Sequence, residues 1–110
     1  MATHKIYEGD SLWLDIEADT DEITAVDSIW SNFTGAWEIK PTLGTVPATA
    51  SGTLTRTDTV GKFRFNLDTV NSALCLEGNY YIIFEINNIS VDYKEEIHDR
   101  LVVMAQGITP

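Results

Sequence analysis

The stretch Gly61–Ile86, GKFRFNLDTVNSALCLEGNYYIIFEI, constrains the fold of this chain more than any other. It opens on an alternating run, Lys62–Leu67, that puts Phe63, Phe65 and Leu67 on one side. A period of two with bulky apolar residues marks a half-buried strand. Asp68 follows, and its carboxylate can accept backbone N–H groups at the start of a helical turn. Val70, Ala73 and Leu74 then fall at helical spacing and are expected to press onto the core. Leu76-x-Gly78-x-Tyr80 leads into a second strand, Asn79–Asn87. There Tyr80, Ile82, Phe84 and Ile86 share one face, and Tyr81, Ile83 and Glu85 share the other. Strand, short turn, strand is how a chain crosses between the two sheets of a sandwich. Leu76, Gly78 and Tyr80 fit a tyrosine corner, in which the Tyr hydroxyl bonds back to upstream backbone and pins the crossover.

The flanking sequence repeats the strand pattern. Thr3–Tyr7 is a first strand, and Gly9-Asp10 marks a turn. Ser11–Ala18 sets Leu12, Leu14 and Ile16 against Trp13, Asp15 and Glu17. Asp19–Ser28 reads as an acidic loop, and Ile29–Phe33 as a short strand or irregular edge. Ala36–Lys40 carries Trp37 and Ile39 on one side and is stopped by Pro41, which has no N–H for a ladder. Pro41–Gly52 reads as a long connection. Thr53–Thr57, β-branched with one large apolar residue, suits an edge strand. Asn87-Asn88 is a turn signal. The last strand lies within Tyr93–Met104, where imperfect alternation between Glu95 and Asp99 predicts a bulge or hydrated edge. Gln106–Pro110 reads as a loose tail. Seven to eight short antiparallel strands, one short helical turn near 68–74 and no long amphipathic helix predict an all-β, Ig-like sandwich.

At 110 residues the chain forms one domain, 1–110. Its 44% hydrophobic content fills one core. Cys75 is the single cysteine, so no intramolecular disulfide forms and assembly in a reducing cytoplasm is the simplest expectation. No signal-peptide pattern opens the sequence. No apolar run approaches the roughly 18–20 residues of a membrane span. The 17 Asp plus Glu against 7 Lys plus Arg give a net charge of −10. That balance repels phosphate backbones and anionic lipid, so neither nucleic acid nor membrane is an expected partner.

The residues offer little chemistry. An EF-hand starting at Asp19 fails, because Ile23, Thr24 and Trp30 occupy the positions of an oxygen ligand, the turn glycine and the closing glutamate. A solvated acidic face is the preferred reading of Asp15–Asp27, with a looser calcium site as the alternative. His4, His98 and Cys75 lack zinc-ligand spacing. The histidines are expected at the surface and Cys75 in the interior. No nucleophile elbow, phosphate loop or dinucleotide fingerprint occurs. The expectation is a non-enzyme without cofactor or metal. Asn32-Phe33-Thr34 and Asn88-Ile89-Ser90 match the glycosylation sequon and are taken as chance matches. Among the tryptophans, Trp37 suits the core. Trp13 falls on an outward face and Trp30 beside a loop, positions that suit partner contact.

Further pieces align with a known pattern. They are Tyr7-Glu8-Gly9-Asp10-Ser11-Leu12, Phe33-Thr34-Gly35-Ala36-Trp37-Glu38-Ile39, Gly61 through Asp68, and Leu76-Glu77-Gly78-Asn79-Tyr80. Together the chain resembles the small Ig-like domains of tailed-phage virion proteins, such as the N-terminal domain of upper baseplate proteins and capsid or tail decoration domains. The resemblance spans nearly the whole chain. The acidic insert Asp19–Asp27 is longer than that pattern, and no second domain follows. The resemblance implies a structural role in the virion, assembled in the host cytoplasm. Its implied partners are capsid, portal, tail or baseplate subunits, or further copies of the chain. Contacts are expected at Trp13, Trp30, Tyr81 and Ile83. The competing expectation is an Ig-like adhesion or carbohydrate-binding module. A calcium-dependent fold is a third.

Overall fold

The structure, a computed structural model, describes residues 1–105. The tail expected over Gln106–Pro110 lies outside the described residues. The strands are β1 (Thr3–Tyr7), β2 (Leu12–Glu17), β3 (Thr34–Lys40), β4 (Ala50–Arg56), β5 (Lys62–Leu67), β6 (Gly78–Asn88) and β7 (Tyr93–Met104). Two short helices, α1 (Thr20–Val26) and α2 (Thr69–Ser72), and single 3-10 turns at Trp30–Asn32 and Ile89–Val91 complete it. The strands run in the order β1-β7-β6-β3-β4-β5-β2. They fold into two layers, β1-β7-β6-β3-β4 and β4-β5-β2. The fold is the all-β, Ig-like sandwich that the alternating runs predict.

The core follows from that alternation. Phe63, Phe65 and Leu67 of β5 face Ile82, Phe84 and Ile86 of β6, and all are fully buried. Trp37 and Ile39 of β3 join them. Phe65 stands edge-on to Trp37 at 5.1 Å and to Phe84 at 5.3 Å between ring centroids. Edge-to-face contact sets the positive rim of one ring against the negative face of the next. One β5 side chain thereby joins both layers.

Several local features differ from the sequence reading. β1 pairs with β7 in parallel, not antiparallel. The turn at Gly9, with φ +82°, carries the chain from one layer to the other, so β1 has no hairpin partner in β2 and lies along β7 instead. β4 is no edge strand. It pairs with β3 over Ala50–Leu54 and with β5 through Thr55 and Arg56, passing from one layer to the other.

The acidic loop holds a helix. Asp19 caps α1 by accepting the Glu22 N–H at 3.1 Å, and Asp21 and Glu22 occupy its first turn. Carboxylates there face the unpaired N–H groups and the positive end of the helix dipole. Ile23 is the buried anchor of α1. Trp30–Asn32 is a 3-10 turn, not a strand.

Asp68 caps α2, its carboxylate accepting the Asn71 N–H at 2.7 Å. The capped turn faces Ser72 and Cys75 inward and leaves Val70 74% and Leu74 55% exposed. The expected packing of Val70, Ala73 and Leu74 therefore does not occur, because the cap fixes a different rotation of this single turn. β7 carries no bulge: its register with β6 is unbroken from Tyr93 to Val103. The alternation falters because inward-facing acids are paired. Glu95 accepts from the Tyr93 hydroxyl at 2.6 Å, and Asp99 meets His4 Nε2 at 2.8 Å.

Candidate interaction surfaces

The crossover into β6 sets which residues of that strand face outward. The Tyr80 hydroxyl donates to the Leu76 carbonyl at 2.8 Å, across the bend where Gly78 takes φ +155°. Only the carbonyl of Leu76 is engaged, since its side chain is 66% exposed. Burial, and then the Cys75 and Glu8 charges, push the Tyr80 hydroxyl above the usual tyrosine range. Glu8 ties the same bend to the end of β1 by accepting the Glu77 N–H at 2.8 Å.

With β6 pinned, the outer face of the larger layer is organised in rows across β3, β6 and β7. Lys40, Tyr81 and Arg100 form one row. Glu38, Ile83 and His98 form the next, and Ala36, Glu85 and Glu96 the third. Ile83 is only 9% exposed although it faces away from the core. It floors a shallow depression of about 370 Å³ whose walls include Ala36, Glu38, Thr53 and Glu85. Lys94 lies 3.3 Å from Glu85 and 3.5 Å from Glu96, and His98 Nε2 lies 3.0 Å from Glu96. Those contacts hold Glu96 below the usual carboxylate range, His98 contributing most. Arg100 lies over the Tyr81 ring, 5.4 Å from its centroid. Among the described residues Arg100 has no carboxylate within ion-pair distance.

The outer face of the smaller layer is different. Trp13 is 61% exposed. The Arg64 guanidinium lies over its ring at 4.5 Å, and Arg64 Nε is 3.5 Å from Asp15. Asn66 stands directly across from Trp13 on β5. One ring face is thus covered by a cation, and the side chain is held in place.

Trp30 belongs to neither surface. Its indole N–H donates to the Thr57 carbonyl at 2.7 Å, and its ring packs on Phe63 at 5.0 Å. It packs over one end of the core and stays half-buried. The expected contact residues therefore fall in three places: Trp13 on one layer, Tyr81 and Ile83 on the other, and Trp30 half-buried at one end of the core. Sequence alternation marks Trp13, Tyr81 and Ile83 as outward. It carries no signal for Arg64 and Arg100, whose roles depend on which strand lies beside which.

Beside Trp30 a polar node ties the α1 connection to the end of β6. Asp27 Oδ2 accepts from Asn32 Nδ2 and Asn88 Nδ2, both at 2.8 Å, and Oδ1 accepts the Ile29 N–H at 2.9 Å. These bonds, the Asn32 amide first, hold Asp27 below the usual carboxylate range. A depressed folded value stabilises the fold above the unfolded value and is lost as pH falls through the folded one. The stability gap between the wild type and Asp27→Asn is therefore expected to narrow below about pH 4, which thermal melts across that range measure. Asn88 itself is 1% exposed, with its amide on Asp27 and its carbonyl accepting the Ser90 N–H, so the Asn88 sequon is closed off in the folded chain.

His4 and His98 do not converge with Cys75. His4 is half-buried against Asp99, whereas His98 lies on the outer face. Burial pushes the Cys75 thiol above its usual range. Among the described residues no group of three His, Cys, Asp or Glu is placed to hold a metal ion.

Fold and surfaces together define an Ig-like β-sandwich with two dissimilar outer faces. No family model matches the chain, and no curated protein matches it. Among solved structures it is similar to AggA, the major subunit of aggregative adherence fimbriae type I from Escherichia coli. That similarity has 12% identity and a TM-score of 0.32, and covers 94% of this chain and 91% of AggA. A likeness at that level leaves function open.

Proposed function

We propose that this domain is a non-enzymatic structural component that docks on a multimeric assembly, and that the assembly is a tailed-phage virion. The observation that carries the docking role is Trp13. A large aromatic stands 61% exposed in mid-strand, with Arg64, itself 3.5 Å from Asp15, lying over its ring. Fixing an aromatic before binding lowers the ordering cost of association, and aromatic and Arg anchors dominate interface energies. Tyr81, with Arg100 over its ring, is a second fixed aromatic on the opposite layer. Two such faces let one sandwich bridge neighbouring subunits. The virion is the choice among assemblies because the sequence resembles phage Ig-like domains over nearly its whole length.

Trp13→Ala and Tyr81→Ala are expected to reduce incorporation into particles by at least about tenfold without lowering the melting temperature appreciably. Quantitative immunoblotting of purified particles reads this, and unchanged incorporation of both variants overturns the docking role. A second reading, an adhesion or carbohydrate-binding module, draws on the uncovered face of Trp13 beside Asp15 and Asn66. Saturable binding on a glycan array, abolished by Trp13→Ala, would favour it.

A further inference from the structure

We infer that the outer face of the larger layer is a self-association surface, on which two copies of the chain pack with strands antiparallel about a two-fold axis. The inference goes beyond the docking role by naming what covers the Tyr81 face, a second copy of the chain, and leaves the Trp13 face to the docking role.

The first argument is charge. The chain carries 17 acids against 7 bases, so most of its surface repels a second copy. This face does not. Lys5, Lys40, Lys94 and Arg100, four of those 7 bases, lie on it against Glu38, Glu85 and Glu96.

The second argument is the order of those charges. Moving along β6 and β7, the cationic row Lys40–Tyr81–Arg100 comes first, then Ile83, then the acidic residues Glu85 and Glu96. Place a two-fold axis in the plane of the contact, running across the strands through Ile83. Arg100 of each copy then faces Glu96 of the other and Tyr81 faces Glu85, while Glu38, Ile83 and His98, which lie along the axis, each face their own counterparts, the two Glu38 carboxylates being offset by Lys40 at 3.9 Å from Glu38 in each chain. Such a contact is self-complementary, as an isologous interface requires. An axis parallel to the strands would instead set Arg100 and Lys40 against one another. The pattern therefore selects one dimer. It also gives Arg100 a carboxylate, which it lacks among the described residues of its own chain.

The third argument is area. Strands spaced about 4.8 Å apart and rising about 3.3 Å per residue give the part of this face that overlaps its copy about that axis on the order of 500 Å², the scale of a weak, reversible contact. An ordinary specific interface covers about 800 Å² per partner. Two sheets can stack face to face at about 10 Å with strands nearly aligned.

The test is a charge swap followed by sedimentation equilibrium of the full chain. Wild type is expected to show a monomer–dimer equilibrium in the micromolar range. Arg100→Glu and Glu96→Arg are each expected to weaken it at least about tenfold, because each places like charges together twice per dimer. The double variant Arg100→Glu/Glu96→Arg is expected to return within about threefold of wild type, since the swap recreates both pairs. Trp13→Ala, on the opposite layer, is expected to leave the equilibrium unchanged. Thermal melts of all variants check that the fold is retained. A wild type that stays monomeric at millimolar concentration overturns the inference, as does a swap that fails to restore association. Loss of association in Trp13→Ala would overturn it as well, by placing the contact on the other face. Particle incorporation of Trp13→Ala tests the docking role separately, because Trp13 lies on the other layer.

Discussion

Phe65→Ala is expected to lower the unfolding free energy by about 4 kcal/mol, in the middle of the range for a buried aromatic. Phe65 has no exposed surface and stands edge-on to both Trp37 and Phe84, so its removal opens a cavity between the layers and breaks two aromatic pairs. The two rings that line that cavity, Trp37 and Phe84, are held directly opposite each other in the β3–β6 ladder and cannot collapse into it independently. A domain of this size has a total stability of about 5–15 kcal/mol, so the variant would approach the margin of folding. Urea unfolding measures the effect. A loss below about 1.5 kcal/mol would mean that this ring does not join the layers.

Gly52→Ala is expected to cost about 2–3 kcal/mol through overpacking. A Cβ at Gly52 would lie 2.7 Å from Trp37 Cζ2 and 2.8 Å from both Cε2 and Nε1. Trp37 cannot yield easily, being 3% exposed and braced by Phe65. The indole lies directly over the residue opposite it on β4, and only glycine leaves room there. The same substitution in a Trp37→Phe background is expected to cost less than about 1 kcal/mol more than Trp37→Phe alone, because the atoms it strikes are gone. Chemical denaturation of the four proteins of this cycle decides the matter. Equal costs in both backgrounds would place the strain elsewhere.

Much of the fold is legible in the sequence, and the parts that are not share a cause. The alternation in β2, β5 and β6 announces strands and their inward faces, because side chains project to opposite sides of a strand with period two. Asp68 announces the turn after β5. Yet the same capping logic was present at Asp19 and Glu22, three residues apart, and was masked by the run of acids around it. The rotation of α2 is not legible in the sequence because Val70, Ala73 and Leu74 are apolar, while the residues that turn inward include Ser72. A single capped turn takes its orientation from the cap and the strands it joins, not from its own hydrophobicity. Polar residues that face inward on β7 looked like a break in the strand because their partners, His4 and Tyr93, are recognisable only in three dimensions.

The candidate surfaces divide in the same way. Trp13, Tyr81 and Ile83 read as outward from alternation alone. That Trp13 and Tyr81 lie on opposite layers does not, nor does the packing of Trp30 against Phe63 with its indole N–H on the Thr57 carbonyl. The sequence by itself determined the strands, their buried faces, the bend at Leu76–Tyr80 and the excess of negative charge. These depend on neighbours a few residues apart and on sums over the chain. Tertiary structure alone decided the parallel pairing of β1, the passage of β4 between layers and the sorting of cations and acids into rows. Strand adjacency is fixed by packing between residues far apart along the chain, and no local pattern encodes it.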